Sequence, residues 1–531
     1  MVAASQPLAV AAGLELLSSG GNAADAAVAA AAALNVTEPT STGLGGDCFA
    51  LYYEAESGTV SALNGSGRAP SGLSLEFLKR NGFENELPDF HPFTITVPGA
   101  CAGWCDLIQR CGTKPMSDIL APAVRLAEHG FPVAPVTAYF WKRGFEKQLK
   151  HAPGGLELTN DGRPPQAGDI FRNPGLARTM RKIAADGKSA FYEGEIAGAI
   201  ANVIQQAGGC LTLDDLAAHR STWESPIHTT YRGLRVWECP PNGQGLTALL
   251  ALNILEGFDL SEMGALSAGR LHLLIEALRL AFADSRWYVA DPEFGDIPLN
   301  QLLSKGYAVQ RRKLIDPNRA SLDHRWGSPT LSSDTVYLSV VDGYGNACSF
   351  INSNYMGFGT GIVPSGWGFS LQNRGANFSL DPSHPNALAP GKRPYHTIIP
   401  AMVTVPAENS SPSLQGEQLY ACFGVMGGFM QPQGHVQVLT GLIDDSLSPQ
   451  SALDRPRFCI VNGEAGGATA FEDGIPLDTL QELSSMGHPV EPASSELFGV
   501  FGLGQVILRN SENGVLCAGS DHRADGCAMT Y

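Results

Sequence analysis

The sequence predicts a layered α/β fold in a single body. Segments of helical period and segments of strand character intermix along the chain, and no composition shift marks a boundary between them. No internal repeat or low-complexity linker divides the 531 residues. Near residue 335 the balance changes, from mainly helical pattern broken by Gly and Pro to mainly strands.

Residues 9–18 and 23–34 are predicted helices on either side of Gly20-Gly21, the second with Asn22 placed as N-cap. Thr42-Gly43-Leu44-Gly45-Gly46-Asp47 reads as a tight turn, and 48–53 with 59–63 as a strand pair. Amphipathic helices follow over 119–129, 174–186, 196–206, 246–255 and, the longest, 267–284. Asn173 and Pro174 give the second of these a start signal. Residues 291–324 are polar, carry a Lys/Arg cluster and read as surface loops and short helices. Residues 335–341 are rich in β-branched and aromatic side chains and read as a strand. Gly343, Gly345 and Asn346 supply a hairpin turn, and 347–351 the return strand. A long connection over 361–393 leads to strand-like 419–423, and helical patterns over 435–444 and 477–486 complete the order.

Composition excludes several classes of partner. The formal charge of −17 argues against nucleic acid and against an anionic membrane surface. The Ala-rich run 23–33 is interrupted by Asp25 and is too short to span a bilayer. The opening Met1-Val2-Ala3-Ala4-Ser5-Gln6-Pro7 lacks the basic and apolar parts of a secretory signal. Eleven cysteines are scattered without a CxxC pair or a His cluster, which suits a reducing cytosol better than a disulfide framework or a metal centre. The expectation is a cytoplasmic protein with no cofactor and no metal.

Three features carry chemistry. Thr335 opens the strand 335–341; a cut before it would place a hydroxyl nucleophile and a free α-amine on one residue. Such an amine titrates at about 7.7–8.0 and serves as general base at neutral pH. An ordinary strand threonine has the same local sequence, so the rest of the chain must decide. Gly427 and Gly428, between a strand and a helix, can present bare N–H groups to an oxyanion, or simply make a turn. Neither a GxGxxG nor a Walker pattern occurs there, which excludes the usual nucleotide loops. Arg68 stands in the Gly-rich Asn64-Gly65-Ser66-Gly67-Arg68-Ala69-Pro70 and is of the type that grips a carboxylate, although a solvated surface arginine reads the same way. Lys392-Arg393 shares that ambiguity. His396 and His435 have no triad spacing and read as packing or hydrogen-bonding residues.

Together these pieces resemble the γ-glutamyltranspeptidase family of N-terminal-nucleophile hydrolases. The resemblance runs nearly end to end. It rests on Gly20-Gly21-Asn22-Ala23-Ala24-Asp25-Ala26-Ala27-Val28, Glu38-Pro39, Gly43-Leu44-Gly45-Gly46-Asp47 and Thr94-Ile95-Thr96-Val97-Pro98-Gly99 in the first part. It continues with Asp334-Thr335-Val336-Tyr337-Leu338-Ser339-Val340-Val341-Asp342, Phe358-Gly359-Thr360-Gly361, Lys392-Arg393-Pro394 and Gly427-Gly428, in the family's order. It implies a four-layer αββα sandwich and self-cleavage between Asp334 and Thr335. The products would be a large fragment, 1–334, and a small one, 335–531, that stay together as a heterodimer. Thr335 would attack a γ-glutamyl amide, Gly427 and Gly428 would hold the oxyanion, and water or an amine acceptor would release the acyl group.

Substrate contacts implied by the resemblance are Arg68 for the α-carboxylate, Asn377 beside the α-amine, Asn352 (with Asn354 as its alternative), His396 and Thr397. Here the sequence departs from the family. Asn377 stands where typical members have an acidic residue. Tyr395-His396-Thr397 replaces a Ser pair. The clamp Arg is displaced relative to its Ala-Pro step. The segment between Asn377 and Lys392 is too short for the lid loop of many transpeptidases, which favours water over a bound acceptor. These departures resemble a divergent branch that includes acylase-like and small-amide-hydrolysing relatives. The leading expectation is a γ-glutamyl hydrolase/transferase acting on glutathione or γ-glutamyl peptides. The alternatives are an amidase of the same fold for another acyl group, such as a cephalosporin side chain or a small oxo-amide, and an unprocessed binding protein without catalysis.

Overall fold

The structure is a computed structural model and describes residues 1–324, 336–406, 416–492 and 499–531. Asp334 and Thr335 therefore lie outside the described residues.

Two helices open the chain, α1 (Pro7–Ser18) and α2 (Ala23–Thr37). The Asn22 side chain accepts from the N–H groups of Ala24 and Asp25, and the Asp25 carboxylate accepts from Asn22 N, so two orphan donors of α2 are satisfied reciprocally. Asp25 also accepts from Thr113 and Lys114, tying the start of α2 to a distant turn. Every residue of α2 is buried, between α1 on one side and a sheet on the other. This explains its alanines: only small side chains let a helix approach neighbours on all faces. Three further helices matter below, α3 (Ala100–Cys111), α4 (Gly245–Leu255) and α5 (Met430–Ile443).

Two sheets form the middle of the molecule. The first combines β1 (Val2–Ala4), β2 (Asp47–Glu54), β3 (Thr59–Gly65) and β4 (Thr222–Glu224) with β7 (Val336–Val341), β8 (Ala347–Ser353) and β13 (Cys527–Met529), in the order β13-β1-β7-β8-β2-β3-β4. The second combines β5 (Ile227–Tyr231) and β6 (Leu234–Glu238) with β9 (Ala401–Val405), β10 (Gln418–Met426), β11 (Leu503–Arg509) and β12 (Leu516–Ser520), in the order β12-β11-β10-β9-β6-β5. Helices α1, α2 and α3 cover the first sheet, and α4 and α5 the second, giving the four-layer αββα sandwich. The expected strand pair and hairpin are present, with β2 on β3 and β7 on β8, both antiparallel.

The two sheets meet through β7 and β10. Ser339 Oγ donates to Cys422 O, while Gly424 lies so close to Tyr337 that a Cβ there would sit 2.6 Å from the ring. As the residue number falls along β7 it rises along β10, so the start of β7 and the end of β10 lie at one end of the sandwich. The Tyr337 hydroxyl bonds Ser339 and Ser349, so this interlayer contact has its polar atoms paired.

Strands β1 to β6 precede residue 335 and β7 to β13 follow it, yet each sheet draws on both sets. A cut at that point would leave both sheets joined. Ala30 is fully buried in α2. Ala30→Leu should overpack this helix and lower stability by about 1–3 kcal/mol, measured as a drop in the urea midpoint at unchanged m-value; an unchanged midpoint would show that space exists beside α2.

Candidate active site

The site is assembled around Asp47, the first residue of β2. The preceding turn brings Gly46 within van der Waals exclusion of another backbone: a Cβ on it would stand 2.2 Å from Ser353 O. That contact places Asp47 beside the end of β8. Asp47 is fully buried, and its carboxylate is surrounded by donors: Gly67 N at 3.0 Å, Gly99 N at 3.0 Å and Gln372 Nε2 at 2.9 Å on Oδ1, with His396 Nε2 3.0 Å from Oδ2. Burial raises its pKa to about 6, against the downward pull of the nearby Arg374 charge and these hydrogen bonds. Burial, followed by the charges of Arg374 and Arg393, holds His396 well below its ordinary value, so the imidazole is neutral.

β8 ends with Asn352 and Ser353, and Val336 is the register partner of Asn352. Asn352 is committed to the framework: its Oδ1 accepts from Trp104 Nε1 of α3 at 3.0 Å and its Nδ2 donates to Gly43 O at 3.1 Å. Asn354 donates to Ser370 Oγ, leaving its own Oδ1 without a hydrogen bond. Ser353 Oγ accepts from Arg374 at 3.2 Å.

Arg374 is the residue that sequence reasoning passed over. It opens a short 3-10 turn, Arg374–Asn377, inside the long connection after β8. Its side chain is completely buried. The guanidinium donates to Thr397 Oγ1 at 2.6 Å and to Ser353 Oγ at 3.2 Å, and it covers the Tyr355 ring with 4.4 Å to the centroid. Its Nε has no hydrogen-bond partner, and no carboxylate pairs with it among the described residues. Burial lowers its pKa to about 10, which still leaves it charged at neutral pH. In sequence, Asn373-Arg374-Gly375 inside a loop reads as a solvated cation; nothing local announces that the loop turns inward.

Gly427 and Gly428 follow β10 with φ of +128° and +58°, conformations that favour glycine. Their carbonyls are engaged, Gly427 O by Met430 N and Gly428 O by Gln431 N and by Gln244 Nε2 at 2.8 Å. Their N–H groups have no acceptor among the described residues. Gln244 Nε2 also donates to Thr397 O at 2.6 Å, so one side chain links this loop to the residue that holds Arg374.

The remaining candidates separate. Thr397 joins Arg374, and His396 joins Asp47. Asn377 Oδ1 accepts from the Tyr355 hydroxyl at 2.6 Å, while its Nδ2 has no partner. Arg68 pairs with Glu293 and Arg220 O, and it is not brought to Arg374 or to the neighbouring cavity. Glu293 lies far along the chain, so sequence alone could not show that this arginine has a surface partner. Arg393 bonds Thr222 and Asp291, and Lys392 bonds the carbonyls of Pro385 and Ala387, both as loop anchors. His435 pairs with Glu238 in the helix-covered interior. Beside Arg374 opens a cavity of about 1060 Å³, whose wall includes Gly375, Asn377, Asp89, Arg286, His324 and Tyr395.

The γ-glutamyltranspeptidase family model matches residues 9–531. The chain belongs to that family. It is 37% identical to the glutathione hydrolase-like YwrD proenzyme of Bacillus subtilis, over 100% of this chain and 98% of that protein. It is 34% identical to the oxamate amidohydrolase proenzyme of Klebsiella pneumoniae, again over 100% and 98%. Among solved structures it superimposes on the cephalosporin acylase of Bacillus halodurans with a TM-score of 0.91 and 46% identity, covering 100% of this chain and 95% of that one. Family membership accounts for the αββα body and makes the chain an N-terminal-nucleophile amidase. Relatives named for different acyl groups are about equally similar, so membership does not choose among them.

The raised pKa of Asp47 has a readable sign. The folded state holds this proton more tightly than an unfolded Asp, which titrates at about 3.9. Its contribution to stability is therefore full below about pH 4 and lost as pH rises through about 6. Wild type measured against the non-titrating Asp47→Asn should lose relative stability over that window in urea unfolding at stepped pH. A difference independent of pH would place the proton elsewhere.

Proposed function

We propose that this protein is a self-processing amidohydrolase, cut between Asp334 and Thr335, whose N-terminal Thr335 forms an acyl ester with the substrate. The observation that carries the reading is the pair of unengaged N–H groups at Gly427 and Gly428, at the end of β10 that meets the start of β7. In this reading the α-amine of Thr335 takes the hydroxyl proton as Oγ attacks the amide carbon. The Gly427 and Gly428 N–H groups stabilise the oxyanion, and the proton passes to the departing amine as the C–N bond breaks. Water then hydrolyses the ester. The fragments 1–334 and 335–531 remain one body because they share both sheets.

The γ-glutamyl reading, with glutathione or γ-glutamyl peptides as donors, is supported by relatives named glutathione hydrolases, of which one from Bacillus subtilis is 31% identical over 100% of this chain. A non-glutamyl acyl group is favoured by Asn377, which contributes no charge and whose Oδ1 already accepts from Tyr355, leaving a poor receptor for an ammonium. The cephalosporin acylase and oxamate amidohydrolase relatives support this second reading. The short connection from Asn377 to Lys392 supports water as the acceptor in either case.

Two measurements test the core of the reading. Intact mass spectrometry of the purified protein should give two separate chains, 1–334 and 335–531, and Thr335→Ala a single full-length, folded and inactive chain. A variant that still divides at the same bond would assign the cut to a protease. Gly427→Ala should be processed slowly and lower kcat on the order of 10²-fold, because a Cβ at φ +128° forces the loop to shift its donors; normal turnover would remove Gly427 from the oxyanion site.

A further inference from the structure

Outside the residues placed in the active site, three side chains of metal-binding type meet in the interior. His272 and Glu276 stand one turn apart on the long helix Ala268–Tyr288, so both project from the same face. His488 comes from the turn that ends the helix Leu477–Ser485. Gly487 takes φ +95° there and His488 N donates to Leu483 O, a glycine-closed helix end. His272 Nδ1 and His488 Nε2 are 2.8 Å apart, and the ligating atoms of all three residues lie within 4.8 Å of one another. All three side chains are buried.

Hydrogen bonding fixes which atoms are free to ligate. His272 Nε2 is 2.7 Å from Asp316 O. A carbonyl oxygen only accepts, so in the neutral ring Nε2 carries the proton and Nδ1 presents a lone pair. A metal-ligating histidine has this same support, its far ring nitrogen donating to a carbonyl. Glu276 Oε2 accepts from Ser321 N at 3.2 Å, while Oε1 has no hydrogen bond and faces Arg279 Nε at 3.8 Å. His324 brings its Nε2 to 3.6 Å from Glu276 Oε2, and that nitrogen has no hydrogen-bond partner either. Ala320 N donates to Met486 O, so the segment that carries Asp316, Ser321 and His324 is bonded to the turn that presents His488. A carboxylate oxygen and an imidazole nitrogen left unpaired in one buried place are costly, and a cation bound between them satisfies both.

We propose that His272, Glu276 and His488, with His324 as the fourth ligand, bind one divalent cation of the zinc class. Three imidazoles and a carboxylate suit Zn²⁺, Co²⁺ or Ni²⁺, whereas Ca²⁺ and Mg²⁺ require shells of oxygen. Ligands about 2.0–2.2 Å from a tetrahedral zinc stand about 3.3–3.6 Å from one another, so the Glu276–His324 separation already fits and the His272–His488 pair opens by about 0.5 Å. As the ion enters, the His488 proton moves from Nε2, where it serves the bond to His272, to Nδ1, which has no partner in the chain. The Arg279 charge beside Glu276 opposes the ion, which makes the site exchangeable rather than permanent. His272, Glu276 and His324 precede residue 335 and His488 follows it. Under the proposed cut the ion therefore joins the two fragments, although its binding does not depend on the cut.

The test takes the purified protein, strips it with EDTA and titrates it with Zn²⁺ or Co²⁺ alone. One equivalent of Zn²⁺ per chain should bind and raise Tm, Mg²⁺ should do neither, and Co²⁺ should give the intense visible bands of a tetrahedral site. His272→Gln and His488→Gln should each weaken binding by more than about 100-fold, beyond the cost of losing an outer-shell partner. His522→Gln, at the exposed pair with Asp454, should leave affinity unchanged. No rise in Tm with Zn²⁺, full affinity in His272→Gln and His488→Gln, or loss in His522→Gln would overturn the site. Should the two interior variants fail to fold, the Co²⁺ spectrum of wild type decides, and weak octahedral bands would overturn it. A chain that is never cut yet takes up zinc would sink the self-processing reading and leave this site standing; a cut and active enzyme indifferent to zinc would do the reverse.

Discussion

One buried carboxylate decides where everything else in the site can stand. Asp47 gathers the turn after β3, the turn before α3, the loop at Gln372 and the His396 imidazole onto two oxygen atoms. None of these segments is adjacent to another in sequence. Gly99 N and Gln372 Nε2 also reach the carbonyls of Gly46 and Val97, but Gly67 N and His396 Nε2 have no other partner among the described residues, so losing the carboxylate would leave those two unsatisfied together. The glycines around it serve the same point. Gly67 and Gly99 can donate only because their chains run against neighbouring carbonyls with no room for a side chain, a Cβ on Gly67 falling 1.7 Å from Val97 O.

From this anchor the polar framework passes to the end of the sandwich where β7 starts and β10 ends through a few shared side chains. His396 and Thr397 are consecutive, one facing Asp47 and the other Arg374. Gln244 holds the carbonyls of Thr397 and Gly428 and accepts from the Tyr395 hydroxyl. A framework of this kind keeps loops in place without an extended strand or helix, which is how a site built mostly on connections acquires the rigidity that positioned donors require. It also explains why Tyr395-His396-Thr397 differs from a pair of serines: the histidine is part of the support under Asp47, and only the threonine reaches the cation.

The sequence conveyed the layers well and the site unevenly. Long amphipathic segments, the strand pair 48–53 with 59–63, and the hairpin around Gly343 and Gly345 are local patterns, and the structure carries them with ends shifted by a few residues. The three-residue strands Val2–Ala4 and Cys527–Met529 escaped because alternation needs more length than they have. His396 and His435 were legible as hydrogen-bonding residues, since neither had triad spacing, and each is paired with a buried carboxylate. Gly427-Gly428 stood out because a glycine pair between strand and helix has few uses. Arg68 and Arg374 could not be ranked by sequence: whether an arginine is paired at the surface or enclosed depends on Glu293 in one case and on the inward turn at residues 373–377 in the other. Asn352 looked available because its partners, Trp104 and Gly43, lie far away in the chain.

The placement of β7 has a consequence for the order of events during synthesis. On one side it pairs with β8, which follows immediately, but on the other it pairs with β1, where Ala4 lies opposite Leu338. β1 in turn is flanked by β13, with Ala4 also opposite Cys527. The strand next to the proposed scission point is thus flanked in its own sheet by the first strand of the sequence and by its hairpin partner, and it is covered from the other sheet by β10. A ribosome emitting the chain from the N-terminus supplies β10 well after β7. Maturation would then await β10, so a partly translated molecule lacking it would be kept from cutting itself by an architecture that is not yet closed.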